Sequence, residues 1–114
     1  PVSAPFHCEL MQNATEIMKK EIEKIDFQKS DKILISNVTA NEILSIDELK
    51  DLLIKQIENR VRWRESVINM INKKVTQFIE IGPGKVLSGL IKRTNKDVKI
   101  TSINCEEDIQ TIDI

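Results

Sequence analysis

The chain has 114 residues, a formal net charge of −1 and a 40% apolar share without a single tyrosine. That length is enough for one domain with a core and too little for two, and the near-zero charge argues against a nucleic-acid partner, which would call for a basic excess. No apolar run approaches the ~20 residues of a membrane span, and Cys8 and Cys105 lack the CxxC spacing of a zinc or disulfide site, so they read as two reduced thiols of a cytoplasmic protein.

The opening stretch, Val2-Ser3-Ala4-Pro5-Phe6-His7-Cys8-Glu9-Leu10-Met11, holds the only histidine. Pro5 fixes its own φ and biases Ala4 toward an extended conformation. A histidine at such a junction can point into a cleft and transfer protons near neutral pH. It can equally pack or cap where a helix starts, and its spacing alone favours that role. A helical stripe follows, with Leu10, Ala14, Ile17, Met18, Ile22 and Ile25 facing a core. Residues 33–38 read as a buried strand and residues 39–44 as a turn and loop. Ser45-Ile46-Asp47-Glu48 is a capping box, with Glu48 reaching back to the cap. It opens a second helix with Ile46, Leu49, Leu53 and Ile57 inward and Gln56 near its end. Asn59 suits a left-handed stop.

Trp63 starts a third helix with Val67, Met70 and Ile71 inward and Lys73-Lys74 in its last turn. Residues 77–81 form a strand, and Gly82-Pro83-Gly84 is a tight turn. Residues 85–93 form a helix buried through Val86, Leu87, Leu90 and Ile91. Residues 97–103 form a last strand. The acidic run after Cys105 either starts a short helix or frays. Alternating strands and helices predict an α/β fold with mostly parallel strands and flanking helices.

Two motifs fail on inspection. Gly82-Pro83-Gly84-Lys85 lacks the first glycine and the final Ser/Thr of a phosphate-binding loop, so it reads as a structural turn. Trp63 among Arg60, Arg62 and Arg64 could stack on a base, but an indole in a helix's first turn is more often a core anchor with its N–H bonded.

Four stretches, taken in order, are more specific. They are the histidine segment, Ile35-Ser36-Asn37-Val38-Thr39-Ala40, Val61-Arg62-Trp63-Arg64-Glu65-Ser66-Val67, and Glu80-Ile81-Gly82-Pro83-Gly84-Lys85-Val86-Leu87-Ser88-Gly89-Leu90. Together they resemble the C-terminal part of the malonyl-CoA:acyl carrier protein transacylases, with a departure at Arg60, where that family usually has proline. The resemblance implies residues 1–114 as a single C-terminal fragment of the catalytic domain, within the α/β-hydrolase-like large subdomain of the acyltransferase fold. Opening on Pro1 rather than Met fits such a fragment.

It also implies a chemistry, the transfer of malonyl from malonyl-CoA to the phosphopantetheine thiol of acyl carrier protein through a malonyl-serine ester. His7 would be the catalytic base and the Gln56 backbone carbonyl its orienting acceptor, so the Gln56 side chain should matter less than the helix end. Phe6 would line the acyl pocket and exclude a methyl-branched substrate. The nucleophilic serine, oxyanion hole and carboxylate clamp would lie in a missing N-terminal part, itself a partner of this chain. No cofactor is implied, because the coenzyme A thioester is a substrate, and neither a nucleic acid nor a membrane is a partner. Basic residues Lys55, Arg60, Arg62, Lys92 and Arg93 are candidates for docking an acidic carrier protein. Two other readings stay open: a non-catalytic α/β interaction module, and an acyltransferase unit of a larger polyketide-type synthase.

Overall fold

A computed structural model describes residues 5–110 and residue 112. The extended lead-in expected at Ala4 lies outside the described residues. These divide between Ser66 and Val67 into two compact units.

In the first unit a single 3-10 turn, Glu9–Met11, leads into helix α1, Gln12–Lys24, which packs against helix α2, Ile46–Lys55. Ile22, Ala40 and Leu52 are its buried apolar residues. Of the six positions expected to face a core along α1, only Ile22 is buried; Leu10, Ile17, Met18 and Ile25 stand exposed. Beyond its own 3-10 lead-in, α2 is the one element that packs on α1 among the described residues, and a single short neighbour covers only a narrow strip. On α2 the buried residue is Leu52, which the expected inner face omitted; Ile46, Leu49, Leu53 and Ile57 are half-buried.

Residues 33–38 do not form the expected strand. The chain folds back on itself instead: Ser36 N–H donates to Asn41 O at 2.9 Å, Ile43 N–H to Leu34 O at 2.9 Å, and Ile35 and Glu42 form an isolated antiparallel bridge. The cause is the serine inside the apolar run. Its hydroxyl accepts from Val38 N–H at 3.1 Å and Thr39 N–H at 3.4 Å, offering the backbone a turn in place of a ladder. Ala40 closes that turn at φ 60° while buried.

The Ser45 cap forms as expected, with Glu48 N–H donating to Ser45 Oγ at 3.1 Å. The Glu48 carboxylate overshoots the cap residue and accepts from Leu44 N–H at 2.8 Å. Asn59 is not left-handed. Its side-chain amide donates to Lys55 O at 2.7 Å, which ends α2 by a side-chain bond.

The division between the units falls within helix α3, Trp63–Asn72. The Trp63 indole N–H is buried without a partner among the described residues, contrary to the expected bonded anchor. Lys73 and Lys74 lie past the end of α3 rather than in its last turn. Lys74, at φ 71°, takes the left-handed stop, with Val75 N–H on Met70 O and Lys74 N–H on Ile71 O.

In the second unit strand β1, Gln77–Ile81, pairs in parallel with strand β2, Lys99–Ile103, setting Gln77 opposite Lys99 and Ile81 opposite Ile103. Helix α4, Val86–Thr94, is the crossover a parallel pair requires, and it packs on both strands. Ile91 is its buried residue; Val86 and Leu87, expected inward, are exposed because two strands offer too little area to cover the whole apolar stripe. β2 starts two residues later than expected, since Asp97 N–H turns onto Asn95 Oδ1 at 2.7 Å. A four-residue helix α5, Glu106–Ile109, packs on β2.

Leu52, 7% exposed, should be the costly truncation in the first unit. Leu52→Ala is expected to lose about 2–5 kcal/mol in urea unfolding. Leu44→Ala, at a residue 83% exposed, should stay within ~0.5 kcal/mol of the parent. Equal losses would place the core elsewhere.

Candidate active site

His7 sits in a turn made by its own neighbours. The Cys8 thiol donates to Pro5 O at 3.1 Å, which curls residues 5–8 and engages the thiol locally. His7 itself takes the left-handed conformation at φ 60°, which histidine tolerates better than most residues. That backbone aims the exposed ring at the end of α2, where Nδ1 lies 2.7 Å from the backbone carbonyl oxygen of Gln56.

The acceptor is available because of how α2 stops. The last carbonyls of a helix have no intrahelical donor. Gln56, the residue just past α2, donates its own N–H to Leu52 O at 3.0 Å. Three residues on, Asn59 N–H returns to Lys55 O, so Gln56 O stays open to the imidazole. An Nδ1–H donated to a carbonyl fixes the tautomer and leaves Nε2 as the basic nitrogen. Nε2 has no partner among the described residues.

The structure thus brings His7 and Gln56 together across 49 positions of sequence. Phe6 adjoins them in sequence but is exposed, and it lines neither of two clefts found in the first unit. The larger cleft, ≈ 370 Å³, lies between residues 28–34 and the start of α2 and touches none of the three. A smaller one, ≈ 120 Å³, lies against Asn37 and Gln56 with Leu49, Leu52 and Leu53 on its walls. Sequence reasoning gave Asn37 no site role. Its side-chain amide donates to Gln56 Oε1 at 3.2 Å, a contact between two polar residues that no spacing rule flags.

Among the basic residues considered for docking, Arg62 is committed internally. Its Nη1 donates to Thr39 O at 3.2 Å and its Nε to Glu65 at 3.3 Å. Lys55 pairs with Asp51 one helical turn away. Both pairs are exposed, where such pairs contribute little.

The glycine turn of the second unit explains its own failure as a phosphate loop. Gly82 and Gly84 take φ 139° and 90°, conformations open to glycine, and Gly84 N–H is taken by Asn104 Oδ1 at 2.7 Å. The first amides of α4 are already occupied by a carboxylate: Leu87 N–H and Ser88 N–H donate to Glu80 at 3.0 and 2.8 Å. An acid from β1 fills the place an anion would take. No cluster of metal-ligating side chains occurs among the described residues.

No model of a protein family matches the chain. Curated relatives do. The malonyl CoA-acyl carrier protein transacylase of Bacillus subtilis (strain 168) is 43% identical over 109 residues, covering 96% of this chain and 34% of that protein. The solved transacylase of Clostridium perfringens superposes with a TM-score of 0.89 at 39% identity, over 97% of this chain and 35% of its own. A malonyl-transacylase solved in complex with its type II PKS acyl-carrier protein matches at a TM-score of 0.88 and 34% identity, over 96% of this chain and 36% of its own. The chain spans about a third of the length of the relatives it matches.

Glu80 carries a pH dependence. The Ser88 hydroxyl and amide, with the Leu87 amide, hold its carboxyl below the ordinary value of 4.5. A carboxylate depressed by folding stabilises the fold above that value and loses its effect as pH falls through the lower folded one. Glu80→Gln should therefore weaken protection of the Leu87 and Ser88 amides in hydrogen exchange at neutral pH. The variant should also show less further loss as the pH is lowered through the depressed folded value. Identical acid profiles in the two proteins would remove Glu80 from the cap.

Proposed function

The chain is homologous to the C-terminal part of the malonyl CoA-acyl carrier protein transacylases, and from that premise we propose that it supplies the histidine half of a malonyl-transfer site. The observation that carries this is the 2.7 Å contact between His7 Nδ1 and Gln56 O. A serine from a polypeptide region outside this chain supplies the nucleophile.

In the first half-reaction His7 Nε2 takes the serine proton as Oγ attacks the thioester carbonyl of malonyl-CoA. The tetrahedral adduct collapses, the C–S bond breaks, and the imidazolium returns the proton to the departing coenzyme A thiol. A malonyl-serine ester remains. In the second, His7 takes the proton of the phosphopantetheine thiol of acyl carrier protein and the sulfur attacks the ester. The serine oxygen leaves with the proton restored. The Gln56 carbonyl keeps the ring aimed throughout, the orienting part an aspartate plays in a Ser-His-Asp triad. The reaction needs no cofactor, since the group transferred arrives activated as a thioester. Two free cysteines suit a reducing compartment such as the cytoplasm. No helix among the described residues is long and apolar enough to cross a membrane.

Phe6, directly before the base, sets selectivity by bulk. Excluding one methyl group is worth ~1–3 kcal/mol. Phe6→Ser should therefore raise the ratio of methylmalonyl to malonyl turnover in a competition assay. An unchanged ratio would take Phe6 out of the acyl pocket.

A chimera joining this chain to the preceding part of the Bacillus subtilis relative tests the whole reading. It should form a malonyl adduct in intact-mass spectrometry and pass malonyl to acyl carrier protein, with His7→Ala slowing transfer by at least ~100-fold. The 114-residue chain alone should take up no malonyl group. Near-parental turnover in a folded His7→Ala chimera would remove the catalytic assignment, and a stoichiometric adduct on the isolated chain would show that it carries its own nucleophile.

A further inference from the structure

We propose that Asn37 is a positioning residue for His7, acting through the Gln56 side chain to hold the carbonyl that orients the imidazole. The inference gives the proposed transfer site a third member, and it rests on that reading only for its catalytic meaning.

The geometry is a bracket. Asn37 Nδ2 donates to Gln56 Oε1 at 3.2 Å, and the Asn37 carbonyl accepts from Arg62 N–H at 2.8 Å. One residue therefore grips both ends of the 56–62 segment that leaves α2. Asn37 can do so because its own backbone is tightly held. Ser36 N–H is bonded to Asn41 O, Ala40 N–H to Ser36 O at 2.9 Å, and the Ser36 hydroxyl accepts from the two amides that follow Asn37.

Gln56 needs this support. It sits one residue beyond α2, where the helix no longer dictates the direction of a carbonyl. Its N–H is fixed on Leu52 O. The peptide unit after Gln56, which carries the oxygen facing His7, is held at its other end by Ile57 N–H on Ile54 O at 3.2 Å, a long bond, and fixing the Gln56 side chain on Asn37 restrains it further. The contact is half-buried above the apolar walls of the small cleft, where a polar pair gains more from bonding than at an open surface.

The tautomer of His7 reads this directly, and His7 is the only histidine, so its imidazole signals are unambiguous. In the 15N-labelled 114-residue chain, long-range proton–nitrogen spectra of the neutral ring should show the proton mainly on Nδ1. Asn37→Ala and Gln56→Ala should each lower the Nδ1–H to Nε2–H ratio by at least ~3-fold, the scale on which one neutral hydrogen bond acts. The double variant should go no further than either single change, because both remove one contact. A general loosening of the fold would lower the melting temperature without moving the ratio in folded chain.

Asn37→Ala keeps the backbone bond to Arg62; should it nonetheless fail to fold, Gln56→Ala decides alone, since it leaves the 36–41 turn untouched. An unchanged ratio in folded variants, or effects that add in the double variant, would overturn the role of Asn37. That outcome is separate from the malonyl assay. A chimera that fails to transfer while the ratio behaves as described overturns the proposed function and leaves the bracket standing.

Discussion

The candidate site of the first unit depends on one carbonyl oxygen, that of Gln56, being left open and held still. A helix always ends with carbonyls that lack intrahelical donors. Most are turned to water or covered by a cap. At the end of α2, Asn59 satisfies Lys55 O with both its backbone N–H and its side-chain amide, and Gln56 O is passed over. The imidazole of His7 takes it at 2.7 Å. The surrounding structure serves this meeting from both sides. The Ser45 cap fixes where α2 starts, Leu52 anchors it, and α1 packed against α2 carries the 5–8 turn to its end.

What could be read from the sequence follows where the information resides. β1, α3 and the start of α2 were legible because local chemistry decides them: a β-rich run, an apolar period, a Ser-x-x-Glu cap. The Ser36 turn was not. Residues 33–38 have strand composition, yet a strand needs a partner, and one hydroxyl placed inside the run made a turn competitive. Lys74 ends α3 with the geometry usual for glycine, so no residue type announced the stop. The inward faces failed for a different reason. Period 3.6 tells which side of a helix is apolar, not how much of that side is covered, and Ile17, Val86 and Leu87 are on apolar stripes but uncovered. The pairing of His7 with Gln56 came from family resemblance; no spacing rule joins residues that far apart. Asn37 lay beyond both approaches.

The second unit shows how an anion-binding geometry is used up internally. A strand, a glycine turn and a helix N-terminus form the frame on which phosphate loops are built. Here the strand itself provides the anion. Glu80 lies on β1, eight residues before Ser88, and its two oxygens meet the amides of Leu87 and Ser88. The same stretch of sequence can therefore look like a ligand site and act as a strut, and a single side chain three residues before Pro83 decides between them.

A carbonyl in place of a carboxylate as the partner of His7, the proposed catalytic base, changes what must be controlled. A carboxylate brings a full charge, which stabilises the imidazolium and attracts the ring even when the fit is loose. A carbonyl brings only a dipole, and a dipole rewards alignment steeply. The benefit of the Gln56 acceptor therefore resides in its direction, which in turn resides in the restraint on the peptide unit after α2. No side-chain substitution at position 56 can remove that oxygen. Substitutions there act only on its aim, and the group whose bond reports the aim is the amide of Asn37, 19 residues earlier in the chain.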